Sequence, residues 1–182
     1  HIDEKKVIAA ISPVKDVDGF SPINQGNNLL NSHGLRPATP RGIMRLIHST
    51  EKRIAGLHAV VVGRSNIVGK PVAAMLLNSD CTVTICHSKT KRLGDYTKKA
   101  DILVAAVGKA KIIKAGMVKK GAIVIDAGTV KVNDKLVGDV DFAGAKKKAS
   151  FITPVPGGVG PMTIACLIEN TLQACRDQHK AY

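Results

Sequence analysis

Nine residues, Gly63-Arg64-Ser65-Asn66-Ile67-Val68-Gly69-Lys70-Pro71, have the composition of a phosphate cradle. Small residues let a backbone approach a diphosphate closely. A helix starting behind them offers N–H groups and a partial positive charge. The apolar run His58-Ala59-Val60-Val61-Val62 leads in as a strand, and Val72-Ala73-Ala74-Met75-Leu76-Leu77 leads out as a helix. Pro71 suits the first helical turn, where its missing N–H costs little. The pattern departs from G-x-G-x-x-G: Ser65 stands where a second glycine is expected, and the last glycine comes late. Alone, the stretch fits either a nucleotide-binding turn or a plain βα turn of any α/β domain.

Three further stretches carry candidate chemistry. After the strand Cys81–Cys86 comes His87-Ser88-Lys89-Thr90, with His87 standing 24 positions after Gly63. An NAD-preferring site usually places a carboxylate about there to hold the ribose hydroxyls. Here there is none, and Arg64 supplies a second donor from the glycine turn. An acid-free, donor-rich pocket favours a 2′-phosphate, hence NADP over NAD. Near the start, Asp16-Val17-Asp18-Gly19 offers two carboxylates that an extended segment points to opposite faces, one toward a cleft. The alternative is a simple Asx turn. Near the end, Thr153-Pro154-Val155-Pro156-Gly157-Gly158-Val159-Gly160-Pro161-Met162-Thr163 reads as a rigid, backbone-lined ligand wall before a helix.

Other chemistries find little support. No two of the six histidines stand in H-x-x-x-H or H-E-x-x-H spacing, so no metal site is expected. Cys81, Cys86, Cys166 and Cys175 form no C-x-x-C pair, and each lies in an apolar stretch. They are expected to be buried free thiols, which suits a reducing compartment. The net charge of +13 raises the question of nucleic acid. The lysines are scattered, with almost no aromatics between them for base stacking, so no nucleic-acid partner is expected. No apolar run approaches a membrane helix, and no signal peptide is visible.

The elements that must position these residues follow from pattern. Residues 3–11 predict a short amphipathic helix capped by Asp3 and ended by Ser12-Pro13. Residues 24–41 read as irregular. Thr39 as N-cap with Pro40 in the first turn then opens a connecting helix. From residue 58, strands and helices alternate: strands at 58–62, 81–86, 101–107, 121–126 and 135–138, the last short, with helices at 67–78, 91–100, 115–119 and 141–149. Nearly unbroken apolar strands between helices indicate an α/β fold with a doubly wound, mostly parallel sheet covered on both faces. Ligands bind such sheets at the carboxyl ends of the strands, here Gly63, His87, Gly108 and Gly128. A final helix, Ile164–Gln173, presents Ile164, Leu167, Ile168 and Leu172 at helical spacing and is expected to pack into a core.

Taken together these stretches resemble the bifunctional methylenetetrahydrofolate dehydrogenase/methenyltetrahydrofolate cyclohydrolase family. The resemblance rests on Lys15–Gly19, Pro37–Gly42, Val61–Gly69, Cys86–Thr90, Gly121–Gly128, Val137–Val140 and Ile152–Thr163, and it spans essentially the whole chain. Pro154-Val155-Pro156-Gly157-Gly158-Val159-Gly160-Pro161 alone is close to diagnostic. The resemblance implies a Rossmann-like NADP domain over residues 39–160. It makes 1–38 a remnant of an N-terminal folate/catalytic domain, and 161–182 a helix returning toward that domain. It further implies that Gly63, Arg64, Ser65 and Ile67 line the NADP diphosphate and ribose, with Arg64 and Ser88 on the 2′-phosphate and His87 beside them. Thr39, Gly128, Thr129 and Thr163 match positions near the nicotinamide. Asp18 matches a pterin-binding aspartate, and Gly157, Gly158, Val159 and Pro161 match the loop against which folate packs. A tetrahydrofolate substrate, a homodimer formed through the nucleotide domain and a cytoplasmic enzyme of one-carbon metabolism follow from the same resemblance.

Two departures stand out. The family's Y-x-x-x-K pair, whose lysine is the main acid/base group, belongs to the N-terminal domain. Within this sequence the position four after Tyr96 is Ala100, so no catalytic residue is assigned here and the chain alone is expected to be inactive. Asp126-Ala127-Gly128-Thr129-Val130 stands where relatives usually read G-I-N, so Thr129 replaces an isoleucine.

Overall fold

A computed structural model describes residues 1–179. The strands β1 (His58–Val62), β2 (Thr82–Cys86), β3 (Ile102–Ala105), β4 (Ile123–Asp126) and β7 (Phe151–Ile152) form one sheet in the order β2-β1-β3-β4-β7. All four pairings are parallel, with Val62 opposite both Cys86 and Ala105, and Ala105 opposite Asp126. The remaining strands, β5 (Val130–Val132) and β6 (Lys135–Val137), make a separate antiparallel hairpin. Its turn, Asn133-Asp134, has positive φ at both residues. That is the backbone of a tight primed turn, which asparagine and aspartate tolerate. The sequence reading had the second of these strands and missed the first.

The apolar strands are unbroken because each buries both faces. Ala59 and Val61 of β1 join one core, with Ile43 and Ile47 of α3 (Ala38–His48) and Val72 and Leu76 of α4 (Gly69–Leu77). Val60 and Val62 join the other, on the side of α5 (Leu93–Thr97), the 3-10 turn Ala115–Met117 and α6 (Phe142–Ala145). This is the doubly wound arrangement that the strand pattern predicts.

Outside the sheet several expectations need correction. Asp3 does cap α1 (Glu4–Ala10), accepting the N–H groups of Lys5 and Lys6 at 3.1 and 3.3 Å. Residues 24–29, read as irregular, belong to a helix, α2 (Pro22–Leu29), because Ser21 caps it and Pro22 starts it. Thr39 is not the N-cap of α3; Pro37 is, and the first turn has no side-chain cap. The Thr39 hydroxyl is engaged elsewhere, accepting from Thr163 at 3.1 Å. The final helix, α7 (Val159–His179), starts inside the proline- and glycine-rich stretch and is longer than expected.

Its predicted apolar face does not reach a core: Ile164, Ile168 and Leu172 are 61%, 65% and 50% exposed. The opposite side packs instead, through Val159, Cys166, Asn170 and Ala174. Small residues set that seam, since a Cβ at Gly42 of α3 would lie 3.1 Å from Met162. Asn170 bridges it, donating to the carbonyls of Val17 and Arg36, both at 2.7 Å, while Arg41 donates to its side-chain oxygen at 2.5 Å. Cys81, Cys86 and Cys166 are buried free thiols, but Cys175 is exposed on the outer side of α7. No helix among the described residues is long and apolar enough to cross a membrane.

Candidate functional site

The chain leaves β1, pairs its next strand β2 on one side, then crosses to place β3 on the other. The gap between β1 and β3 is therefore the switch point, where loops part and a ligand can enter. Gly63 sits in that gap with φ +129°, and a Cβ there would run into the Ala106 carbonyl. A Cβ at Gly69 would strike the Gly63 carbonyl, so these two glycines let turn, strand and helix close on each other. Ser65 ties the loop to the helix. Its hydroxyl accepts the N–H groups of Val68 and Gly69 at 3.1 and 3.2 Å, and its carbonyl accepts that of Lys70 at 3.0 Å. The N–H groups of Ser65, Asn66 and Ile67 find no acceptor among the described residues, and Arg64 makes no ion pair among them.

This turn forms one wall of a cavity of about 280 Å³. Gly63, Arg64 and Ser65 lie on one side, His87 and Ser88 at the end of β2 on another, and Val107 and Lys109 beyond β3 close it. No carboxylate lines it. The β2 end is held by its own turn: the His87 N–H donates to the Thr90 hydroxyl at 2.9 Å, and His87 Nδ1 accepts from the Lys89 N–H at 3.2 Å. Ile67 lies outside this lining and is 38% exposed. Lys109 is a lining cation that the sequence reading missed. The strand-end rule pointed at Gly108, one residue short.

A second cavity, of about 430 Å³, gathers the remaining predicted residues except Asp18 and Ile67. Thr39 and Thr163 face it from α3 and α7, Gly128 and Thr129 from the loop after β4, and Gly157, Gly158, Val159 and Pro161 from the proline loop. The predicted constellation thus divides between two cavities. Asp18 lines neither. It is exposed in the turn before α2, and its carbonyl accepts the Ala38 N–H at the start of α3 at 3.4 Å.

The two aspartates of the Asp16–Asp18 stretch take different parts. Burial would push the Asp16 carboxyl up, but the Asn24 amide and the N–H groups of Ser21 and Phe20 outweigh it and hold the carboxyl below its ordinary 3.8. Asp16 is therefore a structural turn residue. Desolvation and then the Asp16 charge push the Asp18 carboxyl up, and no hydrogen bond among the described residues engages its side chain.

A larger hollow, about 800 Å³, runs beside α5. Its cations are the exposed Lys91, Lys98, Lys99 and Arg92, the last paired with Asp95 at 3.2 Å. None of the predicted residues is there. Among the described residues no group of three or more His, Cys, Asp or Glu side chains could hold a metal.

A parallel sheet with a glycine turn, an acid-free cavity at the switch point and a second cavity at the neighbouring strand ends defines the class: a nucleotide-binding α/β domain. Comparison with known families makes it particular. Residues 37–179 match the tetrahydrofolate dehydrogenase/cyclohydrolase NAD(P)-binding domain, and the chain belongs to that family. It is 59% identical over 177 residues to the bifunctional protein FolD of Bacillus velezensis, covering 97% of this chain and 62% of the relative. The crystal structure of the bifunctional FolD enzyme from Campylobacter jejuni superposes with a TM-score of 0.95 at 48% identity, over 98% of this chain and 64% of that one. The Trypanosoma brucei enzyme, solved with NADP cofactor and an inhibitor, superposes at 0.94 with 40% identity, again over 98% of this chain and 64% of that one. The chain therefore spans a little under two thirds of the relatives it matches.

Proposed function

We propose that this chain is the NADP-binding part of a methylenetetrahydrofolate dehydrogenase/methenyltetrahydrofolate cyclohydrolase. The observation that carries the reading is the first cavity, where a glycine turn with unclaimed N–H groups faces Arg64, His87, Ser88 and Lys109 with no carboxylate between them. Gly63 lets the turn close against the Ala106 carbonyl, which brings the cavity wall to the switch point. The unclaimed N–H groups suit diphosphate oxygens. Arg64 and Ser88 suit a 2′-phosphate, which a bidentate guanidinium holds well. NADP, when bound, would supply an acceptor for the hydride of the methylene carbon bridging two folate nitrogens, and hydrolysis of the methenyl product to the 10-formyl compound would complete the bifunctional reaction.

The chain's own residues orient this chemistry. Thr39, Gly128, Thr129 and Thr163 of the second cavity supply hydroxyl and backbone groups at the nicotinamide end. Gly157, Gly158, Val159 and Pro161 present a rigid wall for the folate, with Asp18 as a hydrogen-bonding group for the pterin. In this reading residues 1–38 belong with a folate-binding unit, 39–160 are the nucleotide domain, and the final segment from 161 runs toward that unit; its expected end at 182 lies outside the described residues. The family match starting at residue 37 supports the first boundary. The exposed Ile164, Ile168 and Leu172 are an apolar stripe that such a unit would cover. A second copy pairing through the nucleotide domain would meet β2, which stands at the sheet edge with Ile85 41% exposed.

The test is nucleotide titration of the 182-residue chain with NADP and NAD, together with turnover of methylenetetrahydrofolate. The expected result is saturable binding that prefers NADP, with no turnover, because the Y-x-x-x-K pair is not among these residues. Equal affinity for the two nucleotides would remove the role given to Arg64 and Ser88. Turnover by the chain alone would place acid/base chemistry within it.

A further inference from the structure

Asp126 ends β4, and Asp139 follows the β5–β6 hairpin. Both are buried, at 3% and 0% exposure. The Asp139 carboxylate collects three consecutive backbone N–H groups beyond β3: Val107 at 2.6 Å, Gly108 at 3.1 Å and Lys109 at 2.7 Å. The backbone N–H of Asp139 in turn donates to Asp126 at 3.0 Å. Asp126 also accepts from Gly128 at 3.0 Å and Val140 at 2.8 Å. The Asp126 N–H donates to the Thr153 hydroxyl at 2.8 Å, where the proline loop begins. One chain of hydrogen bonds thus runs from the wall of the second cavity, through two carboxylates, to the wall of the first.

The two carboxylates are seated on glycines. A Cβ at Gly128 would collide with the Asp139 carboxylate, and one at Gly138 with that of Asp126. Nothing larger fits at either position while both aspartates stay in place.

We propose that Asp126 and Asp139 form a single lock that holds both cavity walls in register, and that Asp139, which lines neither cavity, is a positioning residue for the nucleotide cavity. The physical basis is donor counting. An ionised carboxylate offers acceptors only, so it can gather three converging N–H groups, and these charge-assisted bonds are strong. With that anchor, Val107 and Lys109 face Arg64 across the cavity as a fixed wall. The nucleotide part of the proposal rests on the functional reading above; the lock itself does not.

In the chain as it stands, hydrogen exchange reads the lock directly. Gly108 and Lys109 are solvent-exposed, yet their amides should exchange slowly; loop-like exchange would overturn the lock. Asp139→Asn keeps the shape but turns one acceptor into a donor. It should speed exchange at Val107–Lys109, leave Leu103 and Val104 of β3 protected, and weaken NADP binding by about tenfold, the loss of one charge-assisted bond. Asp16→Asn, which lines neither cavity, controls for general loss of stability and should leave NADP affinity unchanged. Gly138→Ala, which lines neither cavity and drives a methyl into the Asp126 carboxylate, should weaken NADP binding to a similar degree. The double variant should lose no more than the worse single one. Full additivity, or Asp139→Asn binding NADP as the parent does, overturns the positioning role. Absence of NADP binding in the parent chain overturns the functional reading instead, while the exchange rates still judge the lock.

Discussion

The two cavities sit at neighbouring strand ends but are built differently. The first combines a glycine turn with exposed polar side chains, those of Arg64, Ser88 and Lys109. Its selectivity lies in charge. The second is lined by proline-loop backbone, the threonines at 39, 129 and 163, and the cis peptide Val155–Pro156. Its selectivity lies in shape. A diphosphate and an extra phosphate need charge that can adapt. A flat ring pair that must meet at a reacting carbon needs walls that do not move.

Breaking the backbone of the first cavity should have the largest effect. Gly63→Ala drives a methyl into the Ala106 carbonyl at a positive φ, and should destabilise the fold by about 2–4 kcal/mol. NADP binding should fall beyond detection in a calorimetric titration. Near-normal affinity would mean that the turn is a plain βα connection.

Removing charge should act next and only on the phosphate. Arg64→Ala should weaken NADP by roughly 10- to 100-fold and NAD by less than about threefold, since a guanidinium–phosphate pair is worth a few kcal/mol when specific. Parallel titrations with both nucleotides decide it.

Shape should matter chiefly at the second cavity. A Cβ at Gly158 would meet the Pro154 carbonyl, so Gly158→Ala should cost about 1–3 kcal/mol in urea unfolding. NADP affinity should stay within about twofold. A larger change would show that the proline loop reaches the nucleotide.

The smallest effect is expected away from both cavities. Asp16 is held below 3.8 by its hydrogen bonds. Its contribution is therefore present above that value and lost as pH falls through the lowered one. Asp16→Asn should cost about 1–2 kcal/mol at neutral pH, with the difference from the parent vanishing on acidification below about pH 4. A difference that grows on acidification would reverse the sign assigned to Asp16.

The parallel sheet and the glycine turn could be read from sequence because both are local. Short unbroken runs such as Ile102–Val104 and Ile123–Ile125, rich in β-branched residues and bounded by turn formers, read as strands buried on both faces, and Gly63 ends such a run. The absence of a carboxylate beside His87 was equally local, and the cavity preserves it. Elements with weak periodicity were less legible. Helix α2 was hidden by its asparagines, and β5 by its shortness, although Asn133-Asp134 between valines was a usable turn signal.

What tertiary structure alone decided concerns faces and partners. The period of α7 fixes a stripe at Ile164, Ile168 and Leu172, yet no spacing says which side meets α3. Small residues and the reach of Asn170 settled that against the apolar stripe. Likewise Asp126 and Asp139 are 13 positions apart, with a hairpin between them. Their convergence on N–H groups of three loops is a long-range fact, because a carboxylate records in sequence its charge but not which donors the fold will bring to it.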